Sequence, residues 1–117
     1  GSGYSEFQAY IESGKMRAIG VTSESRLKGI NVPTLKEQGI NVVIGNWRGV
    51  YGAGGITPEQ RKALIELVVK ATKSKAWAEA LERNGWTPAL MVGAEFEKFV
   101  DDEFASLRAV MAKSGMI

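Results

Sequence analysis

The chain has no cysteine and no histidine among its 117 residues. Without cysteine it has no disulfide framework and no thiolate nucleophile or ligand. The absence is compatible with an oxidising compartment but does not locate the protein in one. Without histidine it lacks the commonest general base and the commonest metal ligand. No stretch approaches the roughly 20 apolar residues of a membrane-spanning helix. No signal peptide is present. The opening Gly1-Ser2-Gly3 has the composition of an expression scar, so that absence carries nothing about a precursor.

Charge of one sign is also missing. Fifteen Lys and Arg face thirteen Asp and Glu, a net charge of +2. The two signs are interspersed, with no basic stripe, which excludes nucleic acid as an expected partner. With 44% hydrophobic and 24% charged residues, the chain reads as a soluble globular domain of modest core. No catalytic set emerges. The serines have no histidine partner and no G-x-S-x-G elbow. Gly52, Gly54 and Gly55 lack the spacing and the following Lys of a phosphate loop, so they read as a turn needing positive φ. Asp101, Asp102 and Glu103 are consecutive on an expected helix, where neighbours do not converge, so they read as a solvated face and not a metal site. The expectation is a protein that is not an enzyme, with no metal and no cofactor.

What is present alternates between helix and strand signals. Ser5 with Gln8 fits a capping box for a first helix carrying Phe7, Tyr10 and Ile11, with Gly14 placed to end it. Met16 to Thr22 reads as a buried strand running into a polar loop. Thr34 with Glu37 fits a second capping box, and Gly39 keeps that helix short. Ile40–Ile44, Trp47–Ala53 and Trp86–Met91 read as strands or extended segments. Thr57 followed by Pro58 starts a helix with an apolar stripe of Leu64, Leu67, Val68 and Ala71. Ser74 caps the next helix, which carries Trp77 and stops near Asn84-Gly85. The last helix is expected from about Ala94 to Lys113. Its stripe is Phe96, Phe99, Val100, Phe104, Leu107 and Val110 or Met111. Trp77 and Trp86 read as core. The alternation predicts α/β architecture with a helix-rich C-terminal half.

Five segments also fall in one order: Ser13-Gly14-Lys15-Met16-Arg17-Ala18-Ile19-Gly20-Val21-Thr22-Ser23, followed by Arg26; Val32-Pro33-Thr34-Leu35-Lys36-Glu37-Gln38-Gly39; Trp47-Arg48-Gly49-Val50; Gly55-Ile56-Thr57-Pro58; and Asn84-Gly85-Trp86-Thr87-Pro88. Together they resemble the C-terminal part of the solute-binding receptors of tripartite tricarboxylate transporters, the TctC or Bug family. Gly20 stands where the family usually has alanine, and Gly52-Ala53-Gly54 replaces a more typical Ala-Pro-Ala. The resemblance implies part of a type II periplasmic-binding-protein fold, a two-lobed Venus flytrap. Residues 1–46 would belong to the second lobe and residues 47–117 to the first. It implies a periplasmic receptor that closes on a small carboxylate and hands it to membrane permease subunits. A piece of such a receptor would expose apolar faces, so a homodimer or domain swap is expected. The alternative is a self-associating α/β interaction module that binds no small molecule.

Four residues stand out as ligand-binding candidates. Thr22 and Ser23 end an expected strand, where open α/β sheets bind ligands; as a mere loop start their hydroxyls would be satisfied locally. Arg26 has the planar fork that clamps a carboxylate, though a surface arginine or a structural ion pair is the favoured reading for it. Trp47 lies where the family chain crosses between lobes, and reads equally as a cleft wall or as packing.

Overall fold

A computed structural model describes residues 2–117; Gly1, part of the suspected scar, lies outside them. Helix α1 spans Tyr4–Glu12. Its expected cap, Ser5 with Gln8, is displaced by two residues. The Glu6 carboxylate reaches back to accept from the Gly3 N–H at 2.9 Å and from the Ser2 hydroxyl. A carboxylate is the stronger acceptor, so the charged pair at the same three-residue spacing wins. Gln8 instead donates to Glu12 at 2.8 Å. Gly14 closes the helix at φ 75, and the N–H groups of Lys15 and Met16 return to the Tyr10 carbonyl at 2.9 and 3.0 Å.

The second capping box forms as its sequence indicates. Glu37 N–H donates to Thr34 Oγ1 at 3.0 Å, and Thr34 N–H donates to Glu37 Oε2 at 2.8 Å. The box opens a single 3-10 turn, Lys36–Gln38, ended by Gly39 at φ 86. Helix α2 covers Pro58–Thr72, with Thr57 and Gln60 exchanging reciprocal cap bonds. Helix α3 covers Lys75–Asn84, with Ser74 Oγ accepting from Trp77 N–H at 3.2 Å. Helix α4 covers Gly93–Lys113.

The expected strands are not regular strands. Among the described residues, pairing is confined to one parallel bridge, Val21 with Thr34. Met16–Thr22, Ile40–Ile44, Trp47–Ala53 and Trp86–Met91 otherwise run as irregular backbone. Their β-branched and aromatic composition is real, but propensity makes a strand only where a neighbour supplies the ladder. Gly20 sits just before the bridge. A Cβ added there would lie 2.9 Å from Gln38 Nε2 and 3.0 Å from Leu35 Cδ2. Glycine thus leaves room for the Gln38 amide, which donates to the carbonyls of Ile19 at 3.0 Å and Thr34 at 3.2 Å.

The expected core is also absent. No hydrophobic side chain among the described residues is fully buried, and the one buried residue is Thr34 at 1% exposure. The α4 stripe is half-buried at Phe96, Phe99 and Val100 but exposed from Phe104 onward. Trp77, expected in the core, is 38% exposed. An apolar stripe specifies which face wants burial; burial itself needs an opposing surface.

The chain divides into two units. The first is residues 1–50 with 82–86; the second is residues 51–81 with 87–117. In the first, Arg48 lies over the Trp86 ring at 4.4 Å. In the second, Tyr51 meets Phe96 at 5.7 Å between ring centres, and Arg61 pairs with Glu97.

Candidate functional site

The turn after Val21 is held at three successive places in the first unit. Val21 comes first. Its N–H donates to the Pro33 carbonyl at 3.0 Å, and its carbonyl accepts from Leu35 N–H at 2.9 Å. Thr22 is then clasped to Ile44 by two bonds. Ile44 N–H donates to the Thr22 carbonyl at 3.0 Å, and Thr22 Oγ1 donates to the Ile44 carbonyl at 2.7 Å. Ser23 Oγ donates to the Ser25 carbonyl at 2.6 Å and tightens the turn.

These bonds decide what the turn can do chemically. A hydroxyl has one proton to donate. Thr22 and Ser23 have both committed theirs to main-chain carbonyls, so towards a ligand their oxygens only accept. The N–H groups of Ser23, Glu24 and Ser25, in contrast, donate to no group among the described residues. The donors this turn offers an anion are therefore main-chain N–H groups, a kind of anion site built from successive backbone amides.

Arg26 ends the turn. Its Nε donates to both Glu37 oxygens at 3.0 and 3.1 Å, and its Nη2 to Oε1 at 2.8 Å. Its Nη1 donates to Asn31 Oδ1 at 2.6 Å. Both partners of the ion pair are 44% exposed. The Arg26 fork, followed by the Thr34 N–H, holds the Glu37 carboxyl down at about 2, against an ordinary value of 4.5. Lys36 pairs with Glu24 beside it.

Three of the four sequence candidates, Thr22, Ser23 and Arg26, thus share one turn. Trp47 is half-buried in the same unit. It follows the Thr22-bound Ile44 by three residues, a chain reach of at most about 11 Å between Cα atoms. Sequence reasoning missed Ile44 and Asn31, and gave Glu37 only as part of a cap. The capping spacing marked Glu37, but nothing local marked Arg26 as its second partner. Trp86, read as core, is half-buried beneath the Arg48 guanidinium, a cation–π contact. The glycine-rich turn has positive φ at Gly55 only.

Two surface depressions lie elsewhere. One is lined by α2 residues including Arg61 and Ile65, the other by Phe104, Leu107 and Met111 of α4 with Ile117. Charged side chains border both, Arg61, Lys62 and Glu66 in one and Arg108 in the other, but the surface they line is mostly apolar. Among the described residues no three acidic side chains gather as a metal site would require.

Comparisons with known proteins give the family of the chain. The model of the tripartite tricarboxylate transporter family receptor, TctC, matches residues 3–116. Protein BugT of Bordetella pertussis is 30% identical over 108 residues, which are 91% of this chain and 33% of that protein. A UPF0065 protein in the gbd 5′ region of Cupriavidus necator is 28% identical over 108 residues, 92% of this chain and 33% of that protein. The chain therefore spans about a third of the length of these relatives. The crystal structure of a TctC solute-binding protein from Polaromonas, without ligand, matches with a TM-score of 0.67 and 33% identity. That match covers 93% of this chain and 38% of the Polaromonas chain. The likeness carries the fold: a helix-rich part of the type II, Venus-flytrap architecture expected from the sequence.

Proposed function

Since this chain belongs to the tripartite tricarboxylate transporter receptor family, we propose that it is part of a periplasmic receptor that binds a small carboxylate and delivers it to the permease subunits of a transporter. It binds without catalysis. The lobe boundary is placed between Asn46 and Trp47, four residues before the first unit's continuous segment ends at Val50. The ligand carboxylate is received at the Thr22–Arg26 turn, with Trp47 walling the site. The observation that carries this reading is the set of N–H donors at Ser23, Glu24 and Ser25 that meet no acceptor among the described residues. Charge-assisted bonds from such donors to a carboxylate are roughly twice as strong as neutral ones.

A thermal-shift panel of citrate, succinate, glutamate and benzoate at millimolar concentration tests it. A ligand that binds only the folded state stabilises it by about 2.7 kcal/mol at a hundredfold excess over Kd. One class of carboxylate should raise the transition while matched neutral compounds do not. A clean transition unmoved by every carboxylate would sink the reading.

The absence of any fully buried hydrophobic side chain among the described residues supports a second reading. In it the chain is a self-associating α/β module, forming a homodimer or domain swap and binding no small molecule.

A further inference from the structure

We propose that Arg26 and Glu37 form a latch that holds the Thr22–Arg26 turn in its ligand-ready shape, making both of them positioning residues that do not touch ligand. Its functional meaning rests on the carboxylate reading above; its structural content does not.

Two residues tie down the base of the turn. Val21 is held by the bridge to Thr34, and Thr22 by the two bonds to Ile44. From Ser23 to Val32 the chain makes a ten-residue excursion before it returns to the bridge at Pro33 and Thr34. Within that excursion the internal bonds, Ser23 to Ser25, Arg26 to Asn31 and Ile30 N–H to the Leu27 carbonyl, are local. They shape the loop but do not anchor it. Two contacts leave it for the 3-10 turn: Lys36 with Glu24, and Arg26 with Glu37. The first is a single pair between flexible, exposed side chains, a kind of contact that contributes little. The second is a forked ion pair with further bonds at both ends, which fixes direction as well as distance.

The anchor beneath it is firm. Glu37 is oriented by the Thr34 N–H, and its own N–H returns to Thr34 Oγ1. Thr34 is the one buried residue among those described, and it is also a bridge partner of Val21. Arg26 is thereby connected, through Glu37 and Thr34, to the base from which its own turn departs. On the loop side its Nη1 donates to Asn31 Oδ1 at 2.6 Å, so one guanidinium joins both limbs of the excursion to the anchor. A guanidinium already bonded to a carboxylate and an amide is poorly placed to clamp a ligand. Its contribution is to fix where the free N–H groups of residues 23–25 sit. Lysine keeps the charge but has no fork, so it cannot replace arginine here.

The test is the backbone nitrogen-15 order parameter across Ser23–Arg26 in the full chain. It is compared in wild type, Arg26→Lys and Glu37→Gln. Wild type should give values near 0.85, as for rigid backbone, and both single variants should fall below about 0.6. The Thr57–Thr72 segment should stay unchanged in all of them. Unchanged order at Ser23–Arg26 in Arg26→Lys and Glu37→Gln would overturn the latch. Citrate binding, measured on the same samples, addresses the carboxylate reading separately. If wild type binds, Arg26→Lys should weaken binding on the order of tenfold; equal affinity would overturn the positioning role. If wild type binds no carboxylate, the receptor reading fails while the order parameters still decide the latch.

Discussion

A carboxylate that accepts from an arginine fork and from a main-chain N–H is stabilised in its charged form, and Glu37 accepts from Arg26 and Thr34 together. Its folded value is about 2, below the ordinary 4.5. The sign comes from linkage. The folded state holds the proton more weakly than the unfolded one, so the stabilising effect is complete above 4.5 and is lost as pH falls towards 2. The latch should therefore survive mild acid and open only in strong acid. Carbon-13 titration of the Glu37 side-chain carboxyl would show it as a midpoint well below 4.5. A midpoint in the ordinary carboxylate range would refute the claim. The pair is half-exposed, so the depression should shrink as salt screens it. At Glu6 the same logic applies more weakly: the Ser2 hydroxyl first, then the Gly3 N–H, and last the Arg48 charge lower its value.

Helix ends are where local chemistry decides structure, and α2 shows it most plainly. Thr57 Oγ1 accepts from Gln60 N–H at 3.2 Å, Gln60 Oε1 accepts from Thr57 N–H at 2.9 Å, and Pro58 occupies a position whose N–H would have no partner. Thr57→Ala should cost about 1 kcal/mol, read as a lower urea midpoint at unchanged slope. A midpoint within error of wild type would mean that the cap is not limiting. Such ends were legible in the sequence because cap bonds span three residues. Thr34–Glu37, Thr57–Gln60, Ser74–Trp77, and the glycines at positions 14, 39, 85 and 115 are all such local signals. The α1 cap was misplaced because two equal spacings competed and the anionic one won. Strands were not legible as such. Ile40–Ile44 has the right composition, yet Ile44 finds only Thr22, because a ladder partner is a property of the rest of the fold. For the same reason the candidate turn was legible in its residues, Thr22, Ser23 and Arg26, but not in its anchors. Asn31 is five residues from Arg26, Glu37 eleven from Arg26 and Ile44 twenty-two from Thr22.

At the scale of the whole chain, exposed apolar faces are the controlling fact. The α4 face has Phe104 at 66% exposure, Leu107 at 51% and Val110 at 60%. In the relatives and the solved neighbour, this chain's match accounts for 33–38% of the length, and we propose that the remainder covers these faces in an intact receptor. On its own the chain should cover them by self-association. At micromolar concentration, light scattering after size exclusion should give a mass above 12.7 kDa. Leu107→Glu combined with Val110→Lys should move that mass towards the monomer, because charges on the apolar face must be desolvated on pairing. A wild-type chain that runs as a monomer with a cooperative melt would show that its own packing suffices. The self-association reading would then fall, while the carboxylate reading would still stand on the turn at Thr22.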